Sequence, residues 1–283
     1  AVYREREDKR IEPVMVPEGP VQEVVLTGDD IDLYKLPILT HNALDAGPYV
    51  TCGASVTKDP DTGIRNIGVY RHQLHAKNKL GIHMSEASHV NYIYGKYEAM
   101  GKDMPIAITI GHHPAFYLGC LSFAPVGVDE YGVAGALMDQ PLELVKCRTC
   151  DLEVPAEAEI VLEGYVSATE RQMEAPFGEF TTMYGGPHMY HVVTVTAITM
   201  RKKPIYLDCF SGHLDHQLLG GTGRLSTIYK TVRMACPTVK DVFMAPSGCC
   251  RLSCYVSIHK RHEGEAKNAI GAVLAADPFI KYV

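Results

Sequence analysis

A turn signal, Asp59-Pro60-Asp61-Thr62-Gly63, sits between two runs of strand-forming residues, Val50–Val56 and Asn66–Leu74. Proline presets φ, Asp and Thr side chains bond back to the local backbone, and Gly tolerates the left-handed position. Two β-type runs joined this closely return antiparallel, because a parallel pair needs a crossover of a dozen residues or more. Further runs with strand-like alternation are Pro105–Ile110, Glu159–Val166, His191–Met200 and Pro204–Cys209, and Leu142–Val145 reads as extended. Helical patterns cover Ser88–Met100, with Ser88 as N-cap and Gly101 as stop, then Glu130–Met138, Ser226–Cys236 and Glu263–Ala275. Strands Val239–Met244 and Leu252–Ile258 give the last third a β-α-β look. Antiparallel pairs early and this alternation late predict a mixed α/β fold with a barrel-like antiparallel sheet at its centre and flanking helices.

At 283 residues the chain can bury a sizeable core. A net charge of −6 without a basic block disfavours nucleic-acid binding. No apolar run approaches the roughly 20 residues of a membrane span. The charged start, Ala1-Val2-Tyr3-Arg4-Glu5-Arg6, lacks the apolar centre of a signal peptide, so a cytoplasmic protein is expected. The nine cysteines are odd in number and scattered, which fits reduced thiols better than a disulfide framework. Cys147 and Cys150 have the spacing of half a zinc site, and Cys249, Cys250 and Cys254 offer a second half. The two halves lie far apart in sequence, and buried free thiols are the expectation. Nucleotide fingerprints are missing: Gly220-Gly221-Thr222-Gly223-Arg224 lacks the Lys-Ser/Thr of a phosphate loop.

Chemistry concentrates at Glu174-Ala175-Pro176-Phe177-Gly178-Glu179. A turn at Pro-Phe-Gly brings both carboxylates to one rim, where like charges in apolar surroundings push one pKa upward, as a proton donor requires. Arg71 is a clamp for a substrate carboxylate or a partner for a buried Glu. Asn66 shares its strand but sits five residues away, nominally on the other face. An Asn oxygen, a His nitrogen such as His89 and a Glu oxygen suit Mn²⁺ or Mg²⁺. Glu130 alone reads as a helix-start acid, Glu143 as an outward-pointing strand residue, and His188, His213 and His216 as candidates to face a pocket. The residues alone stop at an α/β enzyme with a carboxylate pair and a candidate divalent-metal site.

An ordered series then carries a resemblance: Asn66-Ile67-Gly68-Val69-Tyr70-Arg71, Ser88-His89, Glu130 ahead of Gly135-Ala136-Leu137, Leu142–Cys147, Val154-Pro155-Ala156, Glu159–Gly164 and Glu174–Glu179. Together these resemble the UbiD family of reversible (de)carboxylases that use prenylated flavin mononucleotide. The resemblance implies a central split-barrel flavin-binding domain over 36–210. An N-terminal arm, 1–35, would precede it. Residues 211–283 would be an α/β continuation that stops before the family's C-terminal oligomerisation region, and a preceding α/β segment would also be missing. It implies that Asn66, His89 and Glu130 hold Mn²⁺ against the cofactor phosphate, that Ser88 and Arg71 also line the cofactor, and that carbonyls near Gly119–Ser122 bind K⁺. The phosphate-side Lys of some members finds Ala275 and Ala276 here.

By the same resemblance Arg71, Glu174 and Glu179 form the catalytic Arg-Glu-Glu set. The reaction would be non-oxidative decarboxylation of an aromatic, heteroaromatic or α,β-unsaturated acid through a covalent adduct with the cofactor. Arg71 would orient the carboxylate, Glu174 would hold Arg71, and Glu179 would return the proton. A homo-oligomer, dimer or hexamer, and a flavin prenyltransferase that supplies the cofactor are the implied partners. Two readings of other classes stand beside it: a metal-dependent hydrolase built on Asn66, His89 and Glu130, and a flavin-binding fragment without activity.

Overall fold

A computed structural model of the chain describes residues 2–283. In chain order its main elements are β1 (Val24–Thr27), β2 (Tyr49–Lys58), β3 (Arg65–Ala76), β4 (Lys79–Ile82), α1 (His89–Ala99), β5 (Met104–Ile110), α2 (Pro114–Cys120), α3 (Glu130–Met138), β6 (Ile160–Glu174), β7 (His188–Met200), α4 (Leu214–Ala235), β8 (Val239–Met244), β9 (Cys254–Ile258) and α5 (Glu265–Ala276). The sheet runs β1-β7-β4-β3-β2-β5-β6, and β6 pairs again with β7. That last pairing closes a six-stranded antiparallel barrel, with β1 appended to β7. Closure removes the open edges on which other chains could add strands.

Alternation along the strands divides the core. All six barrel strands feed one apolar cluster, to which β5 gives Met104, Ile106, Ile108 and Ile110. The intervening Ala107 joins a second cluster with Phe116 of α2 and Tyr131 of α3, on the barrel's outer face. Each fully buried large apolar side chain contributes about 1.5–3 kcal/mol. A third cluster, formed by Ile228, Val232, Val242, Met244, Ala269 and Val273, holds α4, α5, β8 and β9 together. The N-terminal segment ties this unit to the rest: Tyr3 Oη donates to the Leu118 carbonyl at 3.4 Å, and Lys230 pairs with Asp8 at 2.7 Å.

The Asp59–Gly63 hairpin, the Ser88-capped helix and Glu130–Met138 stand where the sequence puts them. Other expectations fail for identifiable reasons. Pro204–Cys209 is no strand, since its backbone bonds to side chains: Ile205 N–H to Glu159 at 2.9 Å and Cys209 N–H to Thr51 Oγ1 at 3.2 Å. The predicted Ser226–Cys236 helix is the second half of α4. Its first half is hidden by glycines that close packing demands, since a Cβ on Gly221 would lie 2.9 Å from Cys250 Cβ, and one on Gly223 2.6 Å from the Leu121 carbonyl. The predicted strands β8 and β9 pair antiparallel across a 3-10 turn at Pro246–Gly248. Near the end of the chain Tyr282 forms an isolated bridge with Ser253. Among the described residues no helix is long and apolar enough to cross a membrane.

Candidate active site

The turn after β6 is held from several sides. Tyr49 Oη bonds the Ala175 amide at 3.2 Å, Asp45 Oδ1 accepts from the Gly178 amide at 2.8 Å, and the rings of Tyr49 and Phe177 lie 4.6 Å apart. Phe177–Gly178 pairs antiparallel with Tyr184–Gly185, which leaves Glu179 at a hairpin tip while Glu174 ends β6. Across from them β2 bulges between Val50 and Gly53, opposite Arg71 of β3.

The guanidinium of Arg71 lies between the two carboxylates. Its Nε and Nη2 donate to Glu174 at 2.8 and 3.1 Å, its Nη1 donates to Glu179, and its Nη2 also donates to His83 Nδ1 at 3.0 Å. The ring of Phe177 covers it, 4.7 Å from the guanidinium carbon. The Glu174 side chain is 1% exposed, against 29% for Glu179. Burial alone would push the Glu174 carboxyl up, but His83 and Arg71 outweigh it and hold it down at about 2. Mutual repulsion between the carboxylates therefore does not lift Glu174, because a cation separates them.

Arg71, Glu179 and His83 line a cavity of about 480 Å³, together with Thr51, Arg224, Arg251 and His216. His188 and His213, by contrast, are exposed. His83 escaped the sequence reading because β4 did; the Lys77-Asn78 turn joining β3 to β4 was the available signal.

Asn66 and His89 line a separate small cavity. Glu130, first residue of α3, accepts from Asn66 Nδ2 at 3.1 Å and from the Ile67 amide at 2.8 Å. Burial, reinforced by Asp129, pushes its carboxyl up to about 8 despite these donors. Asn66 Oδ1 is buried and has no partner. A bare acceptor, an imidazole and a carboxylate starved of positive charge fit a divalent cation in both chemistry and charge. Ser88 is engaged elsewhere, since its hydroxyl caps α1, accepting from Asn91 at 3.4 Å and donating to Ser85 at 2.6 Å.

The two cysteine groups with zinc-like spacing are separated, Cys147 and Cys150 in the barrel's outer core and Cys250 and Cys254 in the third cluster. Cys147 and Cys150 instead cluster with Glu163. That carboxylate already accepts from the amides of Arg148 and Thr149 at 2.8 and 2.7 Å and from Thr149 Oγ1 at 2.9 Å, which accounts for it as the anchor of the loop.

Residues 13–214 match the 3-octaprenyl-4-hydroxybenzoate carboxy-lyase Rift-related domain, and residues 217–283 match the C-terminal domain of the same family. An evolved dimeric form of the UbiD-class enzyme HmfF from Pelotomaculum thermopropionicum, solved in complex with prFMN, superposes with a TM-score of 0.96 at 42% identity. The match covers 99% of this chain and 66% of that one. The apo 3,4-dihydroxybenzoic acid decarboxylase of Klebsiella pneumoniae gives 0.91 at 29% identity, over 99% and 62%. The anhydromevalonate phosphate decarboxylase of Methanothermobacter thermautotrophicus is 38% identical over 252 residues, 89% of this chain and 59% of the relative. The chain thus spans little more than half the length of the curated relatives it matches. Two family domains that tile residues 13–283 and a fold superposable on UbiD-class enzymes establish that this chain belongs to the UbiD family.

Proposed function

We propose that the protein catalyses reversible, non-oxidative decarboxylation of a small aromatic, heteroaromatic or α,β-unsaturated carboxylic acid. The observation that carries this reading is Arg71, fixed between Glu174 and Glu179 on the wall of a cavity of about 480 Å³. Prenylated FMN, when bound, supplies the electron sink that loss of CO₂ requires and that no side chain provides. Asn66, His89 and Glu130 would hold Mn²⁺, or Mg²⁺, as counter-charge to the cofactor phosphate. For the K⁺ proposed near residues 119–122, the support is the Ser122 hydroxyl, which is buried without a partner. The cofactor would come from a flavin prenyltransferase, and the assembly would be a homo-oligomer.

The protein's own steps follow from the hydrogen-bond count. Arg71 has five N–H donors, and its contacts with Glu174, Glu179 and His83 use four. Glu174 fixes the Nε edge, so an arriving substrate carboxylate is received on the Nη1 side, in competition with Glu179. Glu179, displaced from its counter-ion, is the acid placed to deliver a proton, drawn from solvent, to the carbon from which CO₂ leaves. Apolar cover from Phe177 keeps water from the departing group, which favours neutral CO₂ over a solvated carboxylate.

The test is CO₂ release from a panel of unsaturated and aromatic acids by protein loaded with prenylated FMN, with solvent deuterium followed into the product. Release with deuterium at the vacated carbon is the expected result. A loaded protein that does neither overturns the reading.

A further inference from the structure

Glu179 stands at the tip of a short hairpin, and its side chain has one hydrogen-bond partner among the described residues, Arg71 Nη1. On the decarboxylase reading the substrate carboxylate claims that same nitrogen. Its arrival removes the tether of Glu179 just when Glu179 is needed. From then on the side chain is aimed by its backbone alone, and the group that fixes this backbone acts one residue upstream.

That group is Asp45. Its Oδ1 accepts from the Gly178 amide at 2.8 Å. Its Oδ2 accepts from the Asn42 amide at 2.8 Å and from Asn42 Nδ2 at 3.4 Å. One oxygen thus closes the turn over 42–45 on itself, while the other reaches out to the hairpin. Asn42 lies against the hairpin as well, since a Cβ on Gly178 would stand 2.2 Å from its Nδ2. Two flanking bonds run the same way: the Ala46 amide donates to the Pro176 carbonyl at 2.8 Å, and the Leu44 amide to Tyr184 Oη at 3.2 Å. Of these ties only that of Asp45 has a charged acceptor, which makes a hydrogen bond roughly twice as strong as a neutral one.

The loop is fixed in turn to the strand that carries Arg71. Gln73 lies two residues further along β3, hence on the same face, and is buried. Its Nε2 donates to the Ala46 carbonyl at 3.3 Å. Its Oε1 accepts from Tyr49 Oη at 3.2 Å and from the Ala175 amide at 3.4 Å. Arg71 grips the two carboxylates, and Gln73 grips the chain segments behind them.

We propose that Asp45 is a positioning residue for proton delivery, which keeps Glu179 aimed at the reacting carbon after the substrate has taken Arg71 Nη1. This rests on the decarboxylase reading above and adds a residue to the Arg71, Glu174 and Glu179 set. Asp45 acts through the Gly178 amide, from outside the residues that line the large cavity.

Hydrogen exchange of the amides over 177–185, on the cofactor-loaded protein, reads the anchor without turnover. Glu179→Ala removes the Arg71 tether and should leave exchange within about twofold of wild type. Asp45→Ala should speed it about tenfold or more, the scale of a hydrogen bond to a charged acceptor. Kinetics read the aim, with whichever of sorbate, cinnamate and 2-furoate the loaded protein turns over fastest. Asp45→Ala should lower kcat by about 10²-fold, the scale of an ångström of misplacement, while KM moves by less than about threefold because Arg71 and Glu174 are untouched. Asp45→Asn keeps one acceptor oxygen, and so one of the two ties, and its kcat should fall between. The solvent deuterium isotope effect on kcat should rise in both variants, because proton delivery becomes the slow step. A variant that is only less well folded loses active enzyme and leaves that isotope effect where it was.

Unchanged exchange or wild-type kcat in Asp45→Ala, slower turnover with the wild-type isotope effect, or a hairpin freed equally by Glu179→Ala overturns the proposal. A loaded wild type that releases no CO₂, while Asp45→Ala still frees the hairpin, sinks the decarboxylase reading and leaves Asp45 as the anchor. CO₂ release with an isotope effect indifferent to Asp45 does the reverse.

Discussion

Arg71 and Glu174 meet edge to edge, Nε on Oε1 at 2.8 Å and Nη2 on Oε2 at 3.1 Å, so that the guanidinium plane is fixed before any substrate arrives. The pair is buried, and a buried pair with one partner removed leaves an uncompensated charge worth about 3–5 kcal/mol. On the proposed reading Glu174 holds Arg71 rather than moving protons.

Glu174 should make the protein acid-sensitive in a defined window. Its carboxyl is depressed from the ordinary 4.5 to about 2, so its contribution is present above about pH 4.5 and is lost as pH falls through about 2. The shift corresponds to roughly 3 kcal/mol. Urea unfolding at pH 7 and pH 3 should show this loss in the wild type and much less of it in Glu174→Gln. Equal pH dependence in both proteins would remove Glu174 from the account.

Cofactor retention should depend on a divalent ion. Asn66 Oδ1 lacks a partner, and beside it burial pushes the Glu130 carboxyl up, which a cation held by the two residues would offset. Chelation followed by desalting should strip the flavin, and added Mn²⁺ should restore its binding. Flavin that stays at full occupancy after chelation would count against the three residues as a metal site.

Two glycines should respond with opposite sign to the same change. A Cβ on Gly164 would stand 2.1 Å from the Thr194 carbonyl, where β6 and β7 close the barrel, whereas nothing lies within 4 Å of one on Gly95 in α1. Gly164→Ala should cost about 1–3 kcal/mol through forced backbone movement. Gly95→Ala should add about 0.5–1 kcal/mol, the usual gain on replacing glycine within a helix. Thermal melting distinguishes the two, and a neutral Gly164→Ala would show that the barrel seam yields.

What the sequence disclosed was local or motif-borne. The Asp59–Gly63 hairpin and the Ser88 cap are decided by their own few residues, and both could be read directly. The Arg71, Glu174 and Glu179 grouping joins residues 103 and 108 positions apart, and it was reached through a turn argument and a resemblance rather than through pattern. Long-range packing hid the rest. Gly220, Gly221 and Gly223 argue locally against a helix, yet they are the residues that let α4 approach Arg251, Cys250 and Leu121. Arg251 follows two cysteines with metal-ligand spacing, and only the packed structure shows its Nε buried without a hydrogen-bond partner among the described residues.

The two acids Glu130 and Glu179 should fail in different ways. Glu130 starts α3 beside Asn66, buried and away from the large cavity, whereas Glu179 lines that cavity and reaches Arg71 Nη1. Glu130→Ala removes a charged ligand and should lose metal and flavin together, visible as loss of the flavin spectrum on purification. Glu179→Gln keeps the size and one acceptor of the side chain but can neither take up nor deliver a proton. Flavin and metal should then stay at wild-type occupancy while turnover falls by about 10²-fold or more, the scale of a lost acid–base group. Because the neutral Gln oxygen competes less strongly than a carboxylate for Arg71 Nη1, the affinity for substrate should be kept or rise. Solvent deuterium incorporation separates the proton step from binding: it should slow in parallel with turnover. A Glu179→Gln protein that releases CO₂ and incorporates deuterium at the wild-type rate would remove Glu179 as the proton donor, and one that loses its flavin would move Glu179 from the reaction to cofactor binding.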